Sequence, residues 1–405
     1  MAIPRYAPQF RFTLDGAPPP VGMLGSVASI SYQDGIEGAD RVEITLANPN
    51  FEWLDHPLLT LDTELRLSVG YTPDPLEEVF VGEITGAEPT FPNSGMPTMK
   101  VVAHDRLQRL TRGKTDRAFY VETPVGNFPI PDVGVAALVS AENLLIPYPD
   151  PVGGALSVLM TVGAYLQNPT DKKNPQQGVP HQNSSDFEFL SGLAKANGWQ
   201  MYIDHTLDPK GSILRFQFLV QDYAPSMVLR WGASLAEFNP KITTVGDVGG
   251  VSVRIWIASI KMEFIISAGW DFDRGALSFS IKPAGGNLAK LTDKNAKEKT
   301  IEVSGTGFVE APKKILSELL PRLNNRMTGA GSAVGDPRMR AGRVIQLDGL
   351  GGTFSGLWRL TSTTHTLDSG GYRTAFEARK EVWFGSLPAP KGAGGLVRVN
   401  GQSIG

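Results

Sequence analysis

The chain of 405 residues is 41% hydrophobic and 20% charged, carries a formal net charge of −3 and contains no cysteine. The missing thiols exclude disulfide frameworks, thiolate zinc sites and cysteine nucleophiles, and the near-balanced charge predicts no sequence-specific nucleic-acid binding. The length exceeds what one hydrophobic core serves, so about two to four domains are expected.

The amino terminus, MAIPRYAPQFRF, lacks an apolar stretch of about 7–15 residues behind a basic start, so no secretory signal is expected there. No run of about 18 apolar residues follows, which predicts no membrane-spanning segment. Synthesis in the cytoplasm is expected, with release by lysis or within a particle if the protein acts outside the cell. From residue 24 to 111 the pattern is strand after strand. Val42, Ile44 and Leu46 alternate with Arg41, Glu43 and Thr45, and Leu65, Leu67 and Val69 repeat that period of two. Further strands are expected over 24–32, 78–85 and 98–104, a regular spacing that predicts a sandwich or barrel.

Residues 112–225 change character. Helices are expected over 131–145 and 155–166, and the polar, proline-containing stretch 167–184 reads as a loop. Ser185, with Glu188 three residues on, is a capping box. Phe187, Leu190, Leu193 and Ala194 then make one apolar stripe, closed by Asn197-Gly198. Two strands are expected next, over 199–203 and 213–220. Residues 226–282 return to strands (227–231, 251–257, 261–267 and 277–282). A helix is expected from Pro312 through Leu323, and 328–342 reads as a loop. Residues 343–384 then form two strands with a long return, with Gly351, Gly352 and Gly356 at the first bend and Gly370-Gly371 at the second.

Reactive constellations are sparse. The five histidines, His56, His104, His181, His205 and His365, show no metal-binding spacing. Ser184 and Ser185 fit a helix cap and lie in no nucleophile elbow. Asp271 and Asp273 open a segment without the Gly and Glu that a calcium loop needs at its sixth and twelfth positions. Gly305 and Gly307 lack a phosphate-cradling context, and Lys290–Lys299 is mixed in charge, as solvated loops are. Trp199, Tyr202, Trp231, Trp256 and Trp270 read as core or interface anchors, with a carbohydrate-binding face as the rival reading. The expectation is therefore no catalytic, cofactor-binding or metal site, no cofactor, and no enzyme.

Five segments in order carry a family resemblance: 38–54 (GADRVEITLANPNFEWL), 78–85 (EVFVGEIT), 99–110 (MKVVAHDRLQRL), 181–198 (HQNSSDFEFLSGLAKANG) and the hairpin 341–378. Together they resemble the late control protein D family of contractile-tailed phages, the baseplate hub proteins, over nearly the whole chain. The type VI secretion spike proteins of the VgrG group share the hub part. They continue into a small β-barrel and a needle, whereas about twenty residues follow Phe384 here, so a needle on a separate chain is expected.

The resemblance implies a mainly β fold with α+β insertions: two tail-tube-like β-barrel domains plus smaller inserted domains, three copies forming a ring. The expected domains are 1–111 (first barrel), 112–225 (mixed insert), 226–282 with 341–385 (second barrel), 283–340 (inserted loop and helix) and 386–405 (extended tail). Six barrels from three chains would match a sixfold tail tube to a threefold central spike around a channel, with Arg41, Glu43 and Thr45 facing the lumen or a neighbour. A second copy, the spike, the tail tube or its initiator, the tape-measure protein and the baseplate wedges are the implied partners. The implied place is the virion tail baseplate or an extracellular injection particle assembled in the bacterial host cytoplasm. A tail-associated peptidoglycan hydrolase and a host-surface carbohydrate-binding module are the alternatives.

Overall fold

The computed structural model describes residues 7–123, 126–167, 179–218, 224–243, 250–257, 262–271, 276–283, 298–302, 319, 321 and 323–381. The first six strands are β1 (Ala7–Leu14), β2 (Val27–Gly35), β3 (Arg41–Ala47), β4 (Glu64–Thr72), β5 (Glu77–Thr90) and β6 (Thr98–Asp105), with the short helix α1 (Val21–Gly25) between β1 and β2. Their period-two patterning decides what is inside. Val42, Ile44 and Leu46 of β3 are buried with Phe12 and Leu14 of β1, Ile30 and Tyr32 of β2, and Leu65 and Leu67 of β4. Strands from both ends of this set share one core, so the sheet curls around it.

The insert follows: β7 (Thr115–Thr123), β8 (Gly126–Pro129), α2 (Asp132–Glu142), β9 (Ile146–Pro149), α3 (Pro151–Gln167), β10 (Val179–Ser184), α4 (Asp186–Asn197), β11 (Trp199–Asp204) and β12 (Ile213–Phe218). Helix α4 begins as the sequence predicts. Ser185 Oγ accepts the Glu188 N–H, the Glu188 carboxylate accepts the Ser185 N–H, and Gly198 ends the helix in the left-handed region. Its Leu190 and Leu193 pack with Val135 and Val139 of α2 and with Trp199 and Phe216 in a core of their own.

The remaining strands are β13 (Val228–Arg230), β14 (Leu235–Ile242), β15 (Gly250–Ile257), β16 (Met262–Asp271), β17 (Ala276–Pro283), β18 (Glu298–Glu302), β19 (Met327–Val334), β20 (Val344–Asp348), β21 (Gly356–Asp368) and β22 (Gly371–Arg379), with helix α5 (Gly351–Phe354) before β21. Of residues 226–282, expected in one barrel, only β13 and β14 join the main sheet. The strands β15 to β17 pair with one another and with β18 as a separate four-stranded sheet. The stretch expected as a loop, 328–342, opens with β19, a strand between β14 and β22. Its glycines hide it from a hydrophobicity pattern, and packing requires them. A Cβ on Gly329 would lie 2.5 Å from Phe238 Cζ, and one on Gly331 would lie 2.5 Å from the Glu237 carbonyl oxygen. The helix expected over 312–323 lies outside the described residues except at Leu319, Pro321 and Leu323. So do most of Lys290–Lys299, Gly305–Gly307, residues 272–275 and the tail from 382 onward.

The main sheet divides into two halves with one plan. The first runs β1-β4-β5-β6-β3-β2 and the second β13-β20-β21-β22-β19-β14. Counted within its own half, each order is 1-4-5-6-3-2. Two of the irregularities repeat as well. The β2–β3 ladder slips between Val27 and Ser29, and the β14–β19 ladder slips between Leu235 and Glu237. The β5–β6 ladder slips between Ile84 and Gly86, and the β21–β22 ladder between Leu360 and Ser362. Bulges are specific local features of a sheet, so two at equivalent places in each half mark a duplicated module. Two pairings depart from the plan: β1 runs antiparallel to β4, whereas the short β13 runs parallel to β20, and the β4–β5 ladder slips between Leu67 and Ser68 where the β20–β21 ladder is regular.

The expectation of two closed barrels is not met among the described residues. The halves join into one open twelve-stranded sheet, because β21 takes the free edge of β2. That edge is thereby spent on the other module and does not return to β1.

Candidate functional site

The junction between the modules gathers a cluster of buried polar and charged side chains. Along it β2 and β21 run antiparallel, from Ile30 opposite Leu367 to Gly35 opposite Ser362. The Tyr32 ring stacks on its opposite number His365 with centroids 5.6 Å apart. Arg340, in the segment between β19 and β20, reaches across to the first module. Its Nε donates to Asp34 Oδ2 at 2.8 Å, its Nη2 donates to the Tyr32 hydroxyl at 2.7 Å, and its guanidinium lies 5.2 Å from the Tyr32 ring centre. The Tyr32 hydroxyl in turn donates to Asp40 Oδ2 at 3.1 Å. Burial raises the carboxyl pKa of Asp34 and lifts that of Asp40 to about 6, while the nearby Arg340 charge pulls both down. The same carboxylates hold the Arg340 guanidinium firmly charged against its own desolvation.

Asp40, Asp105 and His205, all buried, bring one ligand atom each within 4.8 Å of one another, a grouping that sequence spacing did not reveal. Their hydrogen bonds show what they are built for. Asp40 Oδ1 accepts from the Gly35 N–H, and Asp105 accepts from the Asp40 and Leu107 N–H groups through its two oxygens. His205 Nδ1 accepts from the Val81 N–H at 3.3 Å, so the proton of the neutral ring sits on Nε2, 3.3 Å from Asp40 Oδ2. A ring nitrogen carrying its proton does not ligate a cation. The Val81–His205 bond ties the insert to the first module and leaves the protonated Nε2 facing Asp40 without a hydrogen bond, an arrangement that does not fit a metal site. Desolvation, followed by the Arg340 charge, presses the His205 pKa down to about 3, which keeps the ring neutral.

His365 completes the network. Its Nε2 donates to the Met339 carbonyl at 2.8 Å, and Nδ1 accepts from the hydroxyls of Tyr372 at 2.8 Å and Thr374 at 3.1 Å. Burial, then Arg340, lowers its pKa to about 4. A depressed value means stability present above the unfolded pKa of about 6.5 and lost as pH falls toward 4. The loss at His365 amounts to about 3 kcal/mol over that window. Asp40 acts in the opposite sense: with its pKa raised, the burden of its charge is relieved as pH falls from 6 toward its unfolded value. The difference between proteins isolates the histidine. Urea unfolding of the parent and of His365→Gln at pH 7 and pH 4.5 is expected to show a smaller acid-induced loss in the variant. Equal losses would contradict the assignment.

A second buried group closes the far end of the second module. Trp358 is fully buried, donates from Nε1 to the Phe354 carbonyl at 2.8 Å and meets Phe238 edge-on at 4.9 Å. Lys380 Nζ lies 5.7 Å from the Trp358 ring centre and donates to the Thr353 and Ser355 carbonyls at 2.9 and 2.7 Å, satisfying the end of α5. Desolvation lowers the Lys380 pKa to about 8. Glu381 is held between Arg359 Nε at 2.8 Å and Arg379 Nη2 at 3.0 Å.

The other residues weighed in the sequence are dispersed. His56 Nδ1 accepts the Leu58 N–H at the start of a 3-10 turn. His104 Nδ1 lies 2.6 Å from Thr85 Oγ1. The side chain of His181 lies outside the described residues. Trp199 is buried edge-on against Phe216, and the Tyr202 hydroxyl donates to Gln217 at 2.6 Å, both in the insert. Trp231 stands 61% exposed in the second module. These aromatics do not form one face, and the side chains of Trp256 and Trp270 lie outside the described residues. Arg41, Glu43 and Thr45 are half-exposed on the face of β3 opposite the core.

Two strand edges remain open among the described residues. Apart from the bridge between Leu235 and Trp231 at its start, the edge of β14 away from β19 carries no strand partner among the described residues, and Ile242 there is 43% exposed. In β5, only Glu77–Glu83 pair with β4, so the stretch after Ile84 is paired on its β6 side alone. A cleft of about 1380 Å³ lies beside β14, between the polar face of the second module (Asn239, Lys241, Glu377) and helix α4 (Ser191, Lys195).

No family model matches the chain, and no curated protein matches it in sequence. Solved structures do resemble it. The 43 kDa tail protein of prophage MuSo2 from Shewanella oneidensis superposes with a TM-score of 0.60 at 11% identity, covering 93% of this chain and 99% of that one. The tail protein from Neisseria meningitidis MC58 gives 0.60 at 11% identity, with 95% and 100% covered. An E. coli component of the type VI secretion system, itself similar in structure to the bacteriophage T4 tail proteins gp27 and gp5, gives 0.53 at 11% identity, with 94% and 80% covered. The chain has the fold of phage tail proteins.

Proposed function

We propose that this chain is the structural hub of a contractile tail or a related injection particle. Three copies form a closed ring of six modules that joins a sixfold tail tube to a threefold spike around a central channel. The observation that carries this reading is the duplicated module: two six-stranded units share the order 1-4-5-6-3-2 and both pairs of bulges within one polypeptide. A chain that contributes two near-equivalent units lets a threefold assembly present six similar surfaces, and closed symmetry needs such equivalence at every step. Likeness to tail proteins over nearly the whole chain supports the same setting.

On this reading residues 1–111 form the first tube-like module, and the insert is tied to it at His205, whose Nδ1 accepts the Val81 N–H. The role is structural. The buried carboxylates of the junction, those of Asp34, Asp40 and Asp105, are committed to backbone N–H groups, Tyr32 and Arg340. Co-purification with the spike and tail-tube proteins of the same particle tests the role. A stable complex containing all three is expected, and a chain that binds neither would refute it.

A further inference from the structure

The two open edges are the places the duplication leaves unfilled. In the joint within the chain, the second strand of one module, β2, lies against the latter half of the fifth strand of the other, β21, just beyond the point where β21 leaves β20. The equivalent pair consists of β14, the second strand of the second module, and the stretch of β5 beyond its contact with β4. Both are free among the described residues. Resting on the trimeric reading above, we infer that β14 of one copy adds antiparallel to the Gly86–Thr90 stretch of β5 in the next, and that this strand joint closes the ring.

The bulges fix the register. They set Glu237 level with Ser29 and Ile84 level with Leu360. The observed pair Gln33–Thr364 then becomes Lys241 of one copy opposite Glu88 of the next, and Ser31–Thr366 becomes Asn239 opposite Thr90. Lys241 thus meets Glu88, which already pairs with Lys100 of β6 at 2.5 Å in its own chain. The carboxylate would lie between two ammonium groups where the internal joint has a neutral pair, which favours the pairing. Lys241, Ala87 and Glu88 are all exposed, as an unmade joint requires. Pro240 and Pro89 fall on one rung, the equivalent of Tyr32–His365, which is a hydrogen-bonded rung because Ile36 N–H donates to the opposite Thr361 carbonyl and bonded rungs alternate. That rung has no donor on either strand, and the backbone bonds are left to the rungs two residues away, Ile242 opposite Ala87 and Phe238 opposite Phe91. Prolines belong to edge strands, where they also block indiscriminate pairing. The contact is head-to-tail, a different surface on each side, and such contacts close rings.

Cysteine substitution tests the register directly, because the chain has no cysteine of its own. Residues directly opposite on antiparallel strands lie about 4.5–5.5 Å apart at Cα, within disulfide reach. Under mild oxidation, Lys241→Cys/Glu88→Cys is expected to convert the full-length protein to a covalent trimer on a denaturing gel. Each single substitution should give no trimer, and neither should Lys241→Cys paired with Glu77→Cys, at the other end of β5. In parallel, Lys241→Glu should weaken the trimer in light scattering, and adding Glu88→Lys should restore it. A protein that is trimeric by light scattering yet gives no 241–88 cross-link, or cross-links equally at 77, overturns this joint and leaves the trimer standing. A chain that is monomeric at every concentration overturns both.

Discussion

Replacing Arg340 by Ala is expected to cost about 3–5 kcal/mol of unfolding free energy, the range for removing one partner of a buried charge cluster. The guanidinium is the cation beside Asp34, Asp40 and Tyr32, and it ties β2 of the first module to the second. Without it, Asp34 keeps the Ala341 N–H at 3.1 Å but loses its charge partner in a buried site. If uncompensated charge is the cause, Arg340→Met combined with Asp34→Asn should lose less than Arg340→Met alone, a coupling readable from urea midpoints in a double-mutant cycle. Strictly additive losses would show that Arg340 acts through packing. Because the cluster sits at the module junction, the single variant should also assemble poorly, even at temperatures where it remains folded.

Replacing Trp358 by Ala is expected to cost about 3–5 kcal/mol, as for other large aromatic truncations in cores. The indole fills the second module's core beside Ile345, Leu360 and Phe376, holds α5 through the Phe354 carbonyl and supports the Lys380 ammonium. Its edge-on contact with Phe238 reaches into β14, so the variant should also loosen the open edge. Hydrogen exchange provides the check: amides of β14 and β22 should lose protection ahead of those in β3 and β6. Uniform loss across both modules would contradict a local role.

Much of the first module was legible in the sequence because its strands are half-buried. In Arg41–Ala47 the apolar residues fall on every second position, and the structure buries those same residues. The Ser185 cap and its helix were legible for a similar reason, since cap chemistry is local. Strands β14 and β19 were not. An edge strand is free to be polar and to contain proline, as Leu235–Ile242 does, and Gly329 and Gly331 replace apolar side chains where aromatic rings cross the strand. The junction chemistry was invisible because Asp34 and Arg340 stand 306 positions apart and Val81 and His205 stand 124 apart, so no spacing rule links them. The duplication was discernible only as two Gly-punctuated sheet regions. Strand order and bulge positions, which are properties of pairing, make it plain.

Multi-angle light scattering of the purified full-length chain tests the ring most directly. A mass three times the 43.6 kDa of one chain, persisting on dilution to working concentrations, is the expected result. A single-chain mass at every concentration, or a stable dimer, would contradict six modules contributed by three chains.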